Sequence, residues 1–330
     1  MILEKQKDYK KPRKNSIKKV AVIGAGTMGH GLALVHAIGG CEVDLYDTNP
    51  RALSRSKKLI SAACETLIQA GVHEKTELRA AKARIYPRNK LAVAVADADL
   101  IVEAVVERAD VKKQVFSEIG LYVNKNTIIA SNTSYLDVFR LLPPGLSIQT
   151  LIAHWYTPPY IIDLVDIAPG PETNPENVEE VRILYEQFGK APLIFDKLIQ
   201  GYIANRLQSA LNLECLHIID EGWAEAKDID FSIKHGLATR LAVLGHMRKM
   251  DFTGLEMVRN ALASRAYSPP KLTGKSPTLE RLIEAGNKGV MSGAGHYEYG
   301  DVSAEELFKD RDLRLLKMKK AIQNIGEKQI

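Results

Sequence analysis

Between residues 18 and 197, short aliphatic runs alternate with longer stretches whose apolar residues recur every three or four positions; after residue 197 only the second pattern remains. Short β-branched runs bounded by turn residues predict buried strands, and the longer spacing predicts amphipathic helices. KKVAVIGAGTMGHGLALVHAIGG reads as strand, tight glycine turn and helix, and CEVDLYD as the next strand. Residues 50–70 have helical spacing. ARIYP is a short strand, ADADLIVEAVVE a helix end followed by a buried strand, and DVKKQVFSEIGLYV an amphipathic helix. NTIIASNTS, SIQTLIAHWYTPP and IIDLVDIAPG are further strands, PENVEEVRILYEQFG is a helix and APLIFDK a last strand. Strands alternating with helices predict an α/β domain with a mostly parallel, doubly wound sheet. GYIANRLQSALNLECLHIIDEGW opens a helical remainder in which no strand follows. The expected organisation is an N-terminal extension over 1–17, an α/β domain over 18–197 and an all-α domain over 198–330.

Composition narrows the class. The 330 residues are 45% hydrophobic and 26% charged, the balance of a globular chain. No apolar run is long enough for a transmembrane helix, and the N-terminus lacks the apolar core of a secretory signal. Cys41, Cys64 and Cys215 are odd in number and widely spaced, so no metal or redox motif is expected, and a reducing cytoplasmic setting is the simplest. Net charge is +5, and the first nineteen residues hold eight Lys or Arg against two acids. The rest is close to neutral. A solvated extension accounts for the basic cluster, and no nucleic-acid or membrane partner is expected.

Gly24, Gly26 and Gly29 form GAGTMG, with Thr27 and Met28 inside it, directly after a strand and before a helix. In that context the first glycine permits the turn, the second lets backbone approach a pyrophosphate, and the third lets helix and strand pack closely. The helix N-terminus offers N–H groups to the phosphates. Asp47 ends the next strand, eighteen positions after Gly29, where a carboxylate hydrogen-bonds ribose hydroxyls and repels a 2′-phosphate. The expected cofactor is therefore NAD on a Rossmann-type domain, although Arg51 nearby is of a type that accommodates the extra phosphate of NADP.

A nicotinamide dehydrogenase needs a base for the hydroxyl proton, and histidine titrates near neutrality. His30 and His36 lie on the helix after the glycine turn, and His73, His217, His235 and His296 have ordinary neighbours. His154 lies where a strand of the α/β domain gives way to a turn, the kind of strand end at which ligands bind. Asp166 lies in the following strand, and a hairpin through PPY would place it beside His154, fixing the tautomer and stabilising an imidazolium. Read alone, His154 fits a structural histidine equally well.

GAGTMGHGLA, IVEAVVE, ASNTS, AHWYTPP…LVDI, GYIANRL and KGVMSGAGHYEY stand in the order, and nearly at the spacings, of the 3-hydroxyacyl-CoA dehydrogenase superfamily, which the chain resembles over about residues 18–300. The resemblance implies that His154 is the catalytic base and that Asp166 occupies the place of its paired glutamate. It implies that Ser134 hydrogen-bonds the substrate oxygen, that Asn205 completes the site from the helical domain, and that Glu107 and Lys112 lie near the nicotinamide ribose. It also implies a homodimer formed through the helical domain. The sequence departs from the family pattern at four positions. Asp166 is one methylene shorter than the usual glutamate, Thr157 stands for Asn, Gln200 for a small residue or Pro, and His246 for a Pro.

Within the superfamily one branch oxidises 3-hydroxyacyl-CoA thioesters. Another, with L-gulonate 3-dehydrogenase, the lambda-crystallins and carnitine dehydrogenase, acts on small free acids. The double proline, LVDIAPGPET, and Arg240 within HGLATRLAVLGHM resemble the second branch. An Arg facing the site would clamp a substrate carboxylate bidentately. The bland reading of Arg240 is a surface helix residue. SRSKK, over residues 54–58, would meet CoA phosphates in the thioester reading, or is an exposed basic face. The expected activity is NAD-dependent oxidation of the 3-hydroxyl of a small 3-hydroxy acid. The alternatives are a CoA thioester substrate and a non-catalytic, crystallin-like NAD-binding protein.

Overall fold

A computed structural model describes residues 17–326, so the basic extension expected over 1–17 lies almost wholly outside the described residues. The described chain forms two compact units that divide between Ile203 and Ala204, a few residues beyond the expected boundary.

The first unit is built on an eight-stranded sheet, with β1 (Lys19–Ile23), β2 (Glu42–Tyr46), β3 (Ile85–Arg88), β4 (Leu100–Glu103), β5 (Ile128–Ser131), β6 (Thr150–Trp155), β7 (Leu164–Pro169) and β8 (Ala191–Ile194). Their spatial order is β3-β2-β1-β4-β5-β6-β7-β8. The first six run parallel in doubly wound order, and the sequence crosses from one half to the other between β1 and β4, the switch point at which such sheets bind ligands. β7 is antiparallel to β6, with His154 directly opposite Asp166, and β8 is parallel to β7. The inner strands are covered on both faces, which explains their continuous apolar runs: all four residues of β4 and of β5 are buried.

Six helices flank the sheet: α1 (Gly29–Ile38), α2 (Pro50–Gln69), α3 (Lys75–Ala83), α4 (Leu91–Val95), α5 (Ala109–Gly120) and α6 (Pro175–Gln187). α2 and α6 start alike. Asn49 and Asn174 accept the N–H two residues on, and a proline follows each at the first helical position, where it loses no intrahelical bond. α1 is almost entirely buried, including His36. The helix α3 has no counterpart among the expected elements; its nine residues are mostly polar, with Leu78 and Ala81 alone reaching the core.

The second unit is helical, as the sequence pattern implies: α7 (Ala204–Asp220), α8 (Ala226–Ser232), a π-helical turn over Ile233–Ala238, α9 (Thr239–Leu244), α10 (His246–Thr253), α11 (Leu255–Ser264), α12 (Pro277–Glu284) and α13 (Ala304–Ile325). Asp220, the last residue of α7, accepts from Ser276 Oγ and Thr278 N and so ties α7 to the start of α12. A capping box between Ser303 and Glu306 starts α13. α7 buries none of its seventeen residues, and Leu207, Trp223, Phe231, Phe252 and Leu262 are all more than 60% exposed. Among the described residues no helix is long and apolar enough to cross a membrane, and no group of three or more His, Cys, Asp or Glu is placed to hold a metal.

Candidate active site

The carboxyl ends of the parallel strands gather the chemistry of the first unit on one edge. At the end of β1 the chain turns at Gly24 with φ +106°, and an added Cβ there would meet Ala104 O at 2.7 Å, so both conformation and space require glycine. A Cβ at Gly29 would lie 1.7 Å from Gly24 O, because α1 starts against the turn it leaves. At Gly26 a Cβ would meet nothing within 4 Å. That open space above the helix N-terminus is where a pyrophosphate would lie. Asp47, just past β2, accepts from Ala25 N and Asn49 N, each at 2.8 Å, one bond on each carboxylate oxygen. It thereby shapes the turn, and the second lone pair of each oxygen still suits a ribose hydroxyl. These residues fit NAD.

Next to this turn is a buried ionic network. Glu103 closes β4 with its side chain wholly buried and accepts from Lys112 Nζ at 2.7 and 2.9 Å, from Ser131 Oγ at 2.5 Å and from Val105 N at 2.9 Å. Lys112, on α5, is 1% exposed and has Glu107 as a second partner at 3.3 Å. Glu107 in turn accepts from Thr133 Oγ1, Ser134 N and Tyr135 N at 2.7–2.9 Å. Burial alone would raise the Glu107 carboxyl, but these hydrogen bonds and the Lys112 ammonium outweigh it and hold the group below its ordinary value. Glu107 therefore fastens the loop after β5 that carries Ser134. Lys112 points into this network, not to solvent.

Ser134 Oγ lies 3.2 Å from His154 Nε2. His154 is 4% exposed near the end of β6, and its other nitrogen faces Asp166 Oδ2 at 3.7 Å. The expected hairpin is thus present, with Asp166 fully buried one strand over. Asn132 Oδ1 accepts from Trp155 N and zips the end of β5 to β6, which holds Ser134 near the imidazole. Thr157 is exposed, donates to Met28 Sδ at 2.9 Å and precedes Pro158 through a cis peptide.

Three side chains join this site that sequence reasoning passed over. Tyr156 donates its hydroxyl to Asp166 Oδ2 at 2.5 Å. Tyr202 stacks on the His154 ring with centroids 4.7 Å apart and donates to Thr133 O at 2.6 Å. Glu103 anchors Lys112, as described. Tyr156 stands two residues after His154, a spacing legible in the sequence. Tyr202 follows a turn in which both Gly201 and Tyr202 have positive φ, and nothing local announces its contact.

The remaining candidates belong to the second unit. Asn205 is in the first turn of α7, and His246 starts α10 after Gly245, whose φ is +70°. Arg240 is exposed on α9 and donates from Nε to Gly236 O, a bond within its own helical stretch. Gln200 lies in the turn that leads to the unit boundary.

A glycine turn at a sheet switch point, an acidic residue at the next strand end and a histidine paired with serine and a carboxylate define an NAD-dependent oxidoreductase acting on CH–OH groups. Comparison with known proteins places it more closely. Residues 19–198 match the family model described as 3-hydroxyacyl-CoA dehydrogenase, NAD binding domain, and residues 201–299 match its C-terminal domain. The chain belongs to the 3-hydroxyacyl-CoA dehydrogenase family, and its cofactor is NAD. L-carnitine dehydrogenase of Oceanobacillus iheyensis is 32% identical, with 92% of this chain and 97% of that one covered. A probable 3-hydroxybutyryl-CoA dehydrogenase of Deinococcus radiodurans is 32% identical over 85% of this chain and all of that one. Among solved structures, a 5-formyl-3-hydroxy-2-methylpyridine 4-carboxylic acid 5-dehydrogenase, described as an NAD+-dependent dismutase, superposes with a TM-score of 0.82 at 27% identity, covering 94% of this chain and all of that one.

Proposed function

We propose that this enzyme oxidises the 3-hydroxyl of a small free 3-hydroxy acid to the 3-oxo acid. The observation that carries the reading is the convergence of Ser134 Oγ and His154 Nε2 at 3.2 Å, with Asp166 in register behind the imidazole. A substrate hydroxyl within reach of both donates its proton to Nε2 and accepts from the serine. For Nε2 to act as base, Nδ1 carries the ring proton and faces the carboxylate, which orients the ring and stabilises the imidazolium. Gly24, Gly26, Thr27, Met28 and Gly29 would hold the pyrophosphate of NAD and Asp47 its ribose, and the bound cofactor would supply the hydride acceptor. Glu107 and Lys112 act at the nicotinamide side by holding the Ser134 loop. In the reverse direction the imidazolium is the acid.

In this reading the helical unit spans residues 198–330, and the family resemblance assigns Asn205 to the reacting oxygen and Arg240 to the substrate carboxylate. Its uncovered apolar residues, Leu207, Trp223, Phe231 and Leu262 among them, support a homodimer, since a lone unit would leave them in water. Three free cysteines suit a reducing cytoplasm.

Support for a free acid over a thioester comes from the carnitine-oxidising relative and from Arg240, because a thioester has no carboxylate for a guanidinium to clamp. The deciding experiment follows NADH formation with 3-hydroxybutyryl-CoA, free 3-hydroxybutyrate, L-gulonate and carnitine, for wild type and Arg240→Ala. Turnover of a free acid that drops about tenfold or more in kcat/KM without Arg240 is the expected result, as for loss of a charge-assisted bidentate contact. Turnover of the thioester alone, indifferent to Arg240, would transfer the protein to the other branch. NAD binding without turnover of any substrate favours the crystallin-like reading, against which the assembled Ser134–His154–Asp166 set weighs.

A further inference from the structure

His154 and Asp166 are direct cross-strand partners, yet they do not meet. Nδ1 stops 3.7 Å from Oδ2, outside hydrogen-bond range, and neither Nδ1 nor Asp166 Oδ1 has a hydrogen-bond partner although both are buried. The oxygen that Nδ1 faces is taken by another group: Tyr156 donates to it at 2.5 Å. Tyr156 is one residue past the end of β6 and two after His154, and the two rings meet edge to face at 4.7 Å. The shortfall from hydrogen-bond range is about 0.5–1 Å, less than one methylene spans. One more carbon in the acid would add about 1.5 Å of reach and bring the carboxylate to the imidazole.

We propose that Tyr156 is a positioning residue for the reaction at His154, its hydroxyl anchoring the short Asp166 side chain and sharing its charge, so that the carboxylate orients the imidazole across a gap. The inference rests on His154 being the base. The phenol is suited to the task. Burial, then its hydrogen bond to Asp166 and the charge of that carboxylate, push its ionisation far above the ordinary value, so it stays a donor at every working pH. A short charge-assisted O–H···O bond outcompetes a contact at 3.7 Å for the same oxygen. A carboxylate that already accepts a phenol proton stabilises a neighbouring imidazolium less than an unshared one. The other titratable groups around the pair are Tyr202, stacked on His154; Tyr135, whose charge would act on Tyr156; and Glu107, which is committed to the Ser134 loop.

The test is Tyr156→Phe, which keeps the ring and removes only the hydroxyl, together with Asp166→Glu and the double variant. Nitrogen-15 histidine spectra, with the His154 signal identified by its absence in His154→Gln, report the ring's titration without any substrate. The expected result for Tyr156→Phe is a His154 midpoint moved to higher pH, matched by the acidic limb of kcat/KM, with kcat down about tenfold through lost orientation. Adding Asp166→Glu restores kcat to within about threefold, because the longer acid reaches Nδ1 itself, whereas Asp166→Glu beside an intact Tyr156 crowds the phenol and gains nothing. An unmoved midpoint in Tyr156→Phe overturns the proposal, as does a loss that Asp166→Glu fails to restore. If wild type turns over none of the substrates above, the dehydrogenase reading fails on its own, and the spectra still decide whether Tyr156 controls the pair.

Discussion

Two histidines are buried on opposite faces of β6, and they differ in everything except burial. His36, on α1, is fully buried against Trp155, Tyr185 and Phe188, with ring centroids 5.5–5.8 Å away. Its Nδ1 is 2.8 Å from Leu32 O, and its Nε2 has no hydrogen-bond partner. Burial lowers its pKa from 6.5 to about 4, only partly opposed by the Leu32 carbonyl, so it stays neutral as a piece of core. His154, on the other face, has a hydroxyl at one nitrogen and a carboxylate behind the other. Enclosure is common to both, so it does not mark a catalytic histidine. What distinguishes His154 is a hydroxyl within hydrogen-bond range of Nε2 and a carboxylate facing Nδ1, the arrangement that the proposed base would use.

The sharpest way to break this contrast is to remove each ring in turn. His154→Gln is expected to lower kcat by about 10³-fold with the melting temperature nearly unchanged, whereas His36→Leu leaves kcat within about threefold. Equal losses of activity would mean that both rings merely support β6. The next largest effect concerns the scaffold beneath Ser134. Lys112→Met leaves Glu103 buried without its counter-ion and should cost about 3–5 kcal/mol in urea unfolding. A cost below about 1 kcal/mol would show that the network is not what holds the loop. The smallest of the three is a pH effect from His36. Between pH 6.5 and 4 the unfolded chain protonates this ring and the native one does not, so stability falls as the pH is lowered, by about 3 kcal/mol from this residue. His36→Leu should abolish that share of the slope, and identical pH profiles for variant and wild type would contradict the burial argument.

The fold was largely legible in the sequence because its signals are local. A β-branched run with a glycine turn behind it reads as β1 and the start of α1, and all eight strands follow from runs of that kind. The helix α3 was not read, since two buried residues in a polar stretch carry almost no periodic signal. The site was legible as residue types: His154 and Asp166 were named from position along strands and Ser134 from the family resemblance, and the hairpin register brings the first two face to face. Their actual relation was not legible. The 3.7 Å gap, and the Tyr156 hydroxyl that occupies the carboxylate, depend on strand twist and on rotamers that pattern does not encode.

Sequence alone thus determined the order of the strands and of the helices other than α3, the glycine turn, the acidic strand end that suits NAD and the family to which the chain belongs. Each of these is written in neighbouring residues, where side-chain period and turn chemistry act directly on the backbone. Tertiary structure alone decided that Lys112 is enclosed between Glu103 and Glu107, that Tyr202 lies flat on His154 and that His36 sits in an aromatic box behind the same strand. Those contacts join residues far apart in the chain, and their distances are set only once the sheet has twisted and the helices have packed against it.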